Sequence, residues 1–575
     1  MLKLLRFIRP YREALGLVLA LAFLQSLANL TLPRLMADIV DAGIVKGDTG
    51  HILRIGGVML LIAVGAMVCA IATSFLSSRI ATGFGRIVRE KLFAHVEQFS
   101  LHEFDTFSTA SLITRTTNDP MQIQQVLTML LNMSITAPMM VIGGVILAAT
   151  QDASLTWVLV AAMPVVALTF FVIMKQAIPL FQAMQVKLDK LNLILDEILG
   201  GVRVIRAFDR NAHEHRRFDV ANMDVTDTAI HVNRIIAFLM PAMMLTLNLT
   251  SVAILWFGSG RVNAGEMQIG ALIAFLQYAM FILWSVLMVT VMFVMLPRAA
   301  ASAGRVNEVL AFTPEIVDPA APLPAGGERG CVEFEHVTFS YPGAEEPALR
   351  DVSFSARPGE VTAIIGGTGS GKSTLVNLIP RFYDVAAGRI LVDGTDVRAM
   401  PQVELRDKIG LVPQRAVLFS GTIADNIRYG KQDATDDEIE RAAAIAQAME
   451  FVSAMPLGFD SPIAQGGINV SGGQKQRLSI ARALVKRPEI YIFDDSFSAL
   501  DFATDARLRA ALKAETATAS VFIVSQRVGT IMDADRIIVL DEGRVVGIGR
   551  HEELLTACPV YREIVESQLT LQEAA

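Results

Sequence analysis

Two textures of apolar patterning divide this chain near residue 300. Before that point, six segments carry no Lys, Arg, Asp or Glu: about 14–33, 55–77, 131–150, 154–174, 237–258 and 268–296. About 20 predominantly apolar residues let a helix cross the hydrocarbon core, so each segment is predicted to span a membrane. The last is long enough to tilt, or to run on as a helix beyond the bilayer. Two long intervening stretches, about 78–130 and 175–236, keep helical spacing among charged residues, as at Leu188, Leu191, Leu195 and Ile198. They are predicted to be helices leaving the membrane by tens of ångströms. The alternative, two inserted globular domains, would need a stable core from about 50–60 residues each, which is short.

Beyond Pro297 the pattern changes. Thr313 to Gly330 holds Pro314, Pro319, Pro322, Pro324, Gly326 and Gly327 and reads as a linker. From Cys331 onward, short β-branched runs alternate with helical patterns, which predicts an α/β domain. Val361–Ile365, Ile490–Phe493 and Val521–Val524 read as buried strands ending at glycine or polar residues. The expected organisation is a membrane domain over 1–312, a linker over 313–330 and an α/β domain over 331–575.

Charge sets the orientation. Lys3, Arg6, Arg9 and Arg12 precede the first span and Arg298 follows the last. The two long stretches are rich in Lys and Arg, whereas the other connections are shorter and poorer in them, and Gln151-Asp152-Ala153 has none. Basic loops stay inside, so both termini and both long loops are expected in the cytoplasm. The opening residues, Met1 to Arg12, read as an interfacial helix and not as a removed signal peptide. Composition agrees: of 575 residues, 53% are hydrophobic and 19% charged, against about 25% charged in soluble domains. This excludes a disordered chain, a fibrous repeat and an all-soluble enzyme. A net charge of -7 gives no reason to expect nucleic acid as a partner. Cys69, Cys331 and Cys558 are widely separated and lack metal-ligand spacing, as suits a reducing compartment.

The candidate chemistry lies in the second half. Gly366-Gly367-Thr368-Gly369-Ser370-Gly371-Lys372-Ser373 matches G-x-x-x-x-G-K-[ST] between a predicted strand and a helical run that begins at Thr374. There, backbone N–H groups can wrap phosphates, Lys372 can neutralise their charge and Ser373 can hold Mg²⁺. Ile490 to Asp494 is an apolar strand ending in a carboxylate suited to hold Mg²⁺ through water. Ser471-Gly472-Gly473-Gln474 opens a helix with no bulk over its N-terminus, a place for an anion or simply an N-cap.

Together these motifs resemble an ATP-binding cassette exporter half-transporter, end to end. The resemblance implies an all-α six-helix transmembrane domain with long cytoplasmic helical extensions, fused to an α/β P-loop nucleotide-binding domain. It implies ATP and Mg²⁺ as ligands, with Gly367 to Thr374 as the Walker A loop and Asp494 as the Walker B aspartate. Val470 to Gln474 is similar to the signature, with Val in place of the usual Leu. Tyr341 matches the aromatic that stacks on adenine, Gln414 the glutamine that senses Mg²⁺, and Asp501 the end of the D-loop. The long loops resemble coupling-helix loops, with Thr106–Arg115 and Val202–Asp209 as contact points. Two such domains face head to tail in this family, so Ser471, Gly472, Gly473 and Gln474 would face a partner's nucleotide.

Departures from the family pattern shape the functional expectation. Asp494 is followed by Asp495 where the family has a catalytic Glu, and Gln526 precedes Arg527 where it has a switch His. Gln465 replaces the glutamate of the x-loop. Asp495 reaches less far than Glu toward an attacking water. Gln526 cannot take a proton, although it can still hydrogen-bond phosphate. Binding would survive while hydrolysis weakens. The expectation is ATP-driven export of amphipathic or lipophilic compounds from the membrane lipid, by a heterodimer whose other half keeps the Glu and the His. The alternatives are a homodimeric exporter of lipid, peptide or siderophore, and a non-hydrolytic ATP-gated regulator. Uncharged spans count against an ion-coupled carrier.

Overall fold

A computed structural model describes residues 3–324 and 326–573, and the chain falls into two compact units. The first comprises Met1–Glu97 with Thr109–Phe312; the second comprises Gln98–Ser108 with Thr313–Ala575.

The first unit is helical. Its elements are α1 Arg12–Asp38, α2 Thr49–Val96, α4 Thr109–Met133, α5 Thr136–Gln151, α6 Ala153–Gly200, α7 Val202–Ala207, α8 Asn211–Ala237, α9 Leu239–Asn263 and α10 Ile269–Ala311, with α3 Leu101–Phe107 set into the second unit. Six helical stretches among the described residues are long and apolar enough to cross a membrane, and each predicted span overlaps a different one. A spanning helix satisfies every backbone polar group internally, which is why apolar runs without breaks take this form. The helices α2 and α6 each run for 48 residues, about 70 Å at 1.5 Å per residue, more than twice a hydrocarbon core of about 30 Å. The charged stretches are thus continuations of spans and not inserted globular domains.

Packing within this unit is close where small residues allow it. A Cβ on Gly144 would come within 2.8 Å of Ile282, and one on Gly143 within 2.6 Å of Leu30. Tyr278, fully buried, donates from its hydroxyl to the Leu30 carbonyl at 3.1 Å, tying α10 to α1. At the turn between α5 and α6, Asp152 caps α6 by accepting from the Ser154 and Leu155 N–H groups, and its other oxygen accepts from Arg261 at 2.6 Å. Asp41 lies in a π-helical turn, Ile39–Ile44, and accepts from the Gly270 N–H at 2.7 Å. The start of α10 therefore receives a cap from another helix. The lower arm formed by α6, α7 and α8 is different. It exposes Leu193, Leu199, Val204, Phe208 and Val220.

In the second unit, six strands form the central sheet in the order β12-β11-β3-β10-β9-β6. They are β3 Val361–Gly366, β6 Ile409–Val412, β9 Ile490–Asp494, β10 Ser520–Val524, β11 Arg536–Asp541 and β12 Arg544–Gly549. The pairs β6–β9, β9–β10, β10–β3 and β3–β11 are parallel, and β12 closes one edge antiparallel. The three strands expected from sequence occupy the middle, where burial on both faces demands continuous apolar runs. A second, antiparallel sheet, β2-β1-β4-β5, comprises β1 Val332–Phe339, β2 Leu349–Ala356, β4 Ala387–Val392 and β5 Thr395–Asp396. The two-residue strands β7 Gly421–Thr422 and β8 Pro462–Ile463 pair with each other.

Two segments are drawn into this unit. Thr313–Gly330, expected to be a linker, has no helix or strand among its described residues but is fastened to the β4–β5 turn. Asp393 accepts from Gly327 N at 2.6 Å through its carbonyl and from Gly330 N at 2.6 Å through its carboxylate. Glu103 in α3 is fully buried and accepts from Glu315 N at 2.8 Å and Ser100 N at 2.5 Å. Burial pushes its carboxyl up, yet the hydrogen bonds from the Ser100 hydroxyl and from these N–H groups together outweigh burial and hold it below the ordinary glutamate value. The segment built into the second unit is therefore Gln98–Ser108, which begins before the Thr106–Arg115 stretch expected to make contact. The other expected stretch, around α7, belongs to the first unit and leaves Val204 and Phe208 exposed.

The spans predict opposite labelling across the membrane. Single cysteines at Ala264 and Arg210, both exposed, should react with an impermeant maleimide from opposite sides of sealed vesicles, with little background because Cys69, Cys331 and Cys558 are buried. Labelling from one side alone would mean that the spans are miscounted.

Candidate functional site

Parallel strands place their carboxyl ends at one edge, where open α/β sheets build ligand sites. Register pairs Leu540 with Gly366, and Val524 with both Ile364 and Asp494. The loop Gly366–Gly371 follows β3. Gly369 and Gly371 have φ of 84° and 98°, a region in which glycine carries no Cβ penalty. A Cβ on Gly371 would also meet the Ala348 carbonyl at 2.9 Å.

Lys372 opens helix α11 (Lys372–Leu378) and folds back over its own loop. Its ammonium donates to the carbonyls of Gly366 at 2.9 Å and Gly367 at 2.6 Å. Burial pushes this ammonium below the ordinary lysine value, while Asp495 and Asp494 pull it upward. The Ser370 hydroxyl is buried with no hydrogen-bond partner among the described residues. Ser373 donates to Asp494 at 2.9 Å, and the Thr374 hydroxyl pairs with that of Tyr341 at 2.9 Å. Tyr341 stands edge-on to Phe339 and Tyr383, with ring centroids 4.9 and 5.4 Å away, so its ring is held by an aromatic cluster.

Asp495 turns the chain sharply after β9. Its φ is 47°, its N–H donates to the Val524 carbonyl at 3.0 Å, and its carbonyl accepts from the Ser498 hydroxyl at 2.8 Å. Burial raises the Asp494 and Asp495 carboxyls above the ordinary aspartate value, against the pull of Lys372 on both.

A cleft of about 370 Å³ collects Tyr341, Thr368, Gly369, Gly371, Lys372, Ser373, Thr374, Gln414 and Gln526. Of the residues expected at the nucleotide, Gly367 meets Lys372 through its carbonyl, Asp494 joins through Ser373, and Asp495 acts on Lys372 electrostatically. Ala348 also lines the cleft. Sequence reading missed it because an alanine at the start of a strand carries no chemical signal. The oxygen donors of Ser373, Asp494 and Gln414 at one edge fit a hard cation such as Mg²⁺, which also takes phosphate oxygens and water.

Ser471, Gly472, Gly473 and Gln474 lie elsewhere, at the start of the helix Gly472–Lys486. Ser471 and Gln474 form a reciprocal cap. Ser471 N–H donates to the Gln474 side chain at 2.9 Å, and Gln474 N–H donates to the Ser471 hydroxyl at 3.3 Å. Asp501 caps the helix Phe502–Glu515 by accepting from Thr504 N–H at 2.9 Å. In this chain, then, both Ser471 and Asp501 serve as caps.

A phosphate-binding cleft in an α/β domain, joined to a bundle of membrane-spanning helices, defines a class of transport ATPase. Residues 15–286 match the ABC transporter transmembrane region, and residues 349–498 match the ABC transporter domain. The chain is 46% identical over 573 residues to an uncharacterized ABC transporter ATP-binding protein of Mycobacterium tuberculosis (strain CDC 1551 / Oshkosh), covering 99% of this chain and 98% of the relative. It is 35% identical over 473 residues to a fatty acid ABC transporter ATP-binding/permease protein of Mycobacterium bovis (strain ATCC BAA-935 / AF2122/97), covering 82% of this chain and 74% of that one. A solved bacterial Atm1-family ABC exporter with ATP bound matches with a TM-score of 0.82 and 26% identity, over 97% of this chain and 98% of that one. The chain belongs to the ABC transporter family, as an exporter with fused transmembrane and nucleotide-binding domains. It is a multi-pass membrane protein whose cytoplasmic ATPase domain binds and hydrolyses ATP to drive transport.

The cleft geometry predicts the binding phenotype. Lys372→Ala should sharply weaken ATP binding. Tyr341→Ala should cost about 1–3 kcal/mol if its ring stacks as aromatics do on bases. Equilibrium binding of a fluorescent ATP analogue checks both, and unchanged affinity in the two variants would remove the assignment.

Proposed function

We propose that this chain exports amphipathic or lipophilic compounds as one half of a heterodimer, and that its own Walker cleft binds ATP but hydrolyses it slowly. The observation that supports this is the pair of altered residues at one cleft. Gln526 lines it, and Asp495 follows Asp494 close enough to act electrostatically on Lys372 within it. Lys372, Ser373 and Tyr341, the groups for binding, keep their family types. Ser373, Gln414 and Asp494 would hold Mg²⁺, the last through water. Bound there, the ion supplies positive charge shared across the phosphate oxygens. Asp495 carries a carboxylate one methylene shorter than that of glutamate, so it reaches less far toward an attacking water. Gln526 can donate to a phosphate oxygen but cannot become cationic.

In this reading Ser471, Gly472, Gly473 and Gln474 complete the partner's site. The partner supplies the catalytic Glu and the switch His. The exposed apolar face of the α6–α8 arm is consistent with a second chain of similar build packing there, since large exposed apolar patches mark interaction surfaces. A lipophilic cargo accords with the fatty acid transporter among the relatives.

The test is steady-state ATPase of the purified two-chain complex. Asp495→Asn should lower turnover less than about twofold, because little hydrolysis is lost with a slow site. Ser471→Arg should lower it by a factor of hundreds, about 3–4 kcal/mol in barrier, because the donors that close on the partner's phosphate are blocked. Equal damage from both would make this chain's own cleft the working one. Robust ATPase from the chain purified alone would favour the homodimer.

A further inference from the structure

Beyond the end of β10 at Val524 the strand ladder stops, yet the next four residues are held firmly. Ser525 N–H donates to the Ile364 carbonyl at 3.2 Å, and the Ser525 hydroxyl accepts from Arg527 N–H at 3.0 Å. The Arg527 guanidinium donates to the Ser498 carbonyl at 2.8 Å, joining this loop to the turn after Asp495. Two further polar groups of the loop backbone are taken by one distant side chain. Gln568 donates from its amide to the Gln526 carbonyl at 2.7 Å and accepts from Val528 N–H at 2.8 Å. One amide thus bonds the carbonyl before Arg527 and the N–H after it, the bracket that one residue of a neighbouring parallel strand would make.

Gln568 belongs to the helix Pro559–Glu573 near the C-terminus, and that helix is rooted. Tyr561 is fully buried and Val565, three residues before Gln568, is 4% exposed. The Tyr561 hydroxyl pairs with His551 at 2.7 Å. The amide is therefore presented from a fixed base and not from a fraying end.

We propose that Gln568 is a positioning residue for Gln526: the C-terminal helix sets the place of the Gln526 loop at the cleft, and recognition of the terminal phosphate of ATP depends on this two-bond clamp. The proposal rests on the cleft being the ATP site with Gln526 on its terminal-phosphate side. It does not depend on how fast that site hydrolyses. ADP lacks the phosphate that Gln526 would meet, so the clamp bears on the preference for triphosphate over diphosphate and not on nucleotide affinity as such.

The experiment measures binding of the non-hydrolysable analogue AMP-PNP and of ADP, both with Mg²⁺, to the full chain in lipid nanodiscs. Gln568→Met keeps side-chain length and helix propensity while removing both hydrogen bonds; Gln568→Ala removes the stem as well. Both should weaken AMP-PNP about tenfold, as the loss of two neutral hydrogen bonds warrants, and leave ADP within about twofold. In a Gln526→Ala background the Gln568→Met effect should vanish, because coupled residues are not additive. The proposal is overturned if both ligands weaken alike, if Gln568→Met binds as the native chain does, or if its effect persists without the Gln526 side chain. Loss of the cooperative thermal transition in Gln568→Met would overturn it equally, by making the residue structural. Lys372→Ala separates the premises: if it leaves both ligands bound as before, the reading of the cleft fails; if it abolishes binding while the Gln568 variants are unaffected, the clamp alone fails.

Discussion

Parallel pairing of β3, β10 and β9 is the constraint from which the site follows. Parallel strands must all end on the same side, so Gly366, Val524 and Asp494 arrive together without any contact between the loops that follow them. Two of those loops are then bound by carbonyls near the ends of neighbouring strands. Asp495 N–H takes the carbonyl of Val524, and Ser525 N–H takes that of Ile364. Each loop is thereby fixed to the neighbouring strand and not only to its own. A shift of one residue in register would carry a loop about 3.3 Å along the edge and break the Ser373–Asp494 hydrogen bond. The fully buried Ile364, Phe493 and Phe522 oppose such a slip, since side chains of fixed size packed on both faces would no longer fit their neighbours.

The helical unit obeys a different constraint. Its backbone is satisfied within each helix, so polar side chains are free to act where helices end. Asp152 caps α6 while pairing with Arg261, and Asp41 caps α10 from another helix. At the other end, Asp119 is almost fully buried and accepts from Arg305 at 2.8 Å, with Arg115 and Glu308 paired nearby. Removing one member of the Asp119–Arg305 pair would leave a charge without its partner, which costs more than the pair itself contributes.

Legibility in the sequence followed the range of the interactions. Spans and central strands were readable because apolar length and period are local properties, as Val361–Gly366 and Ile490–Asp494 show. The phosphate loop was readable because its chemistry is contiguous from Gly366 to Ser373. The Ser373–Asp494 hydrogen bond and the Tyr341–Thr374 pair join residues far apart in the chain, and only the family resemblance placed them at one site. Gln568 had no signal at all. A glutamine on an amphipathic helix looks like solvent-facing polarity, and nothing local shows that its amide reaches a loop 40 residues earlier. The Pro/Gly stretch 313–330 misled for the opposite reason. Its composition is that of a free connector, but the carboxylate that pins it, Asp393, lies more than 60 residues away.

Two adjacent glycines separate what the fold requires from what it leaves open. A Cβ on Gly473 would approach the Ala499 carbonyl to 3.1 Å, tighter than most such contacts, so close packing of the helix Gly472–Lys486 on the segment after Asp495 accounts for that glycine. The same segment is tied back by Gln476, whose side-chain oxygen accepts from Ala499 N–H at 3.3 Å. Gly472 is different: a Cβ there would meet nothing within 4 Å. At the first helical position, Gly is also a poorer helix former than Ala, so neither packing nor propensity within this chain calls for it. A bare helix start is useful to something that must come close to the N–H groups and the Ser471 hydroxyl. Such donors suit an anion, which accords with the proposal that this helix start closes over a partner's phosphate.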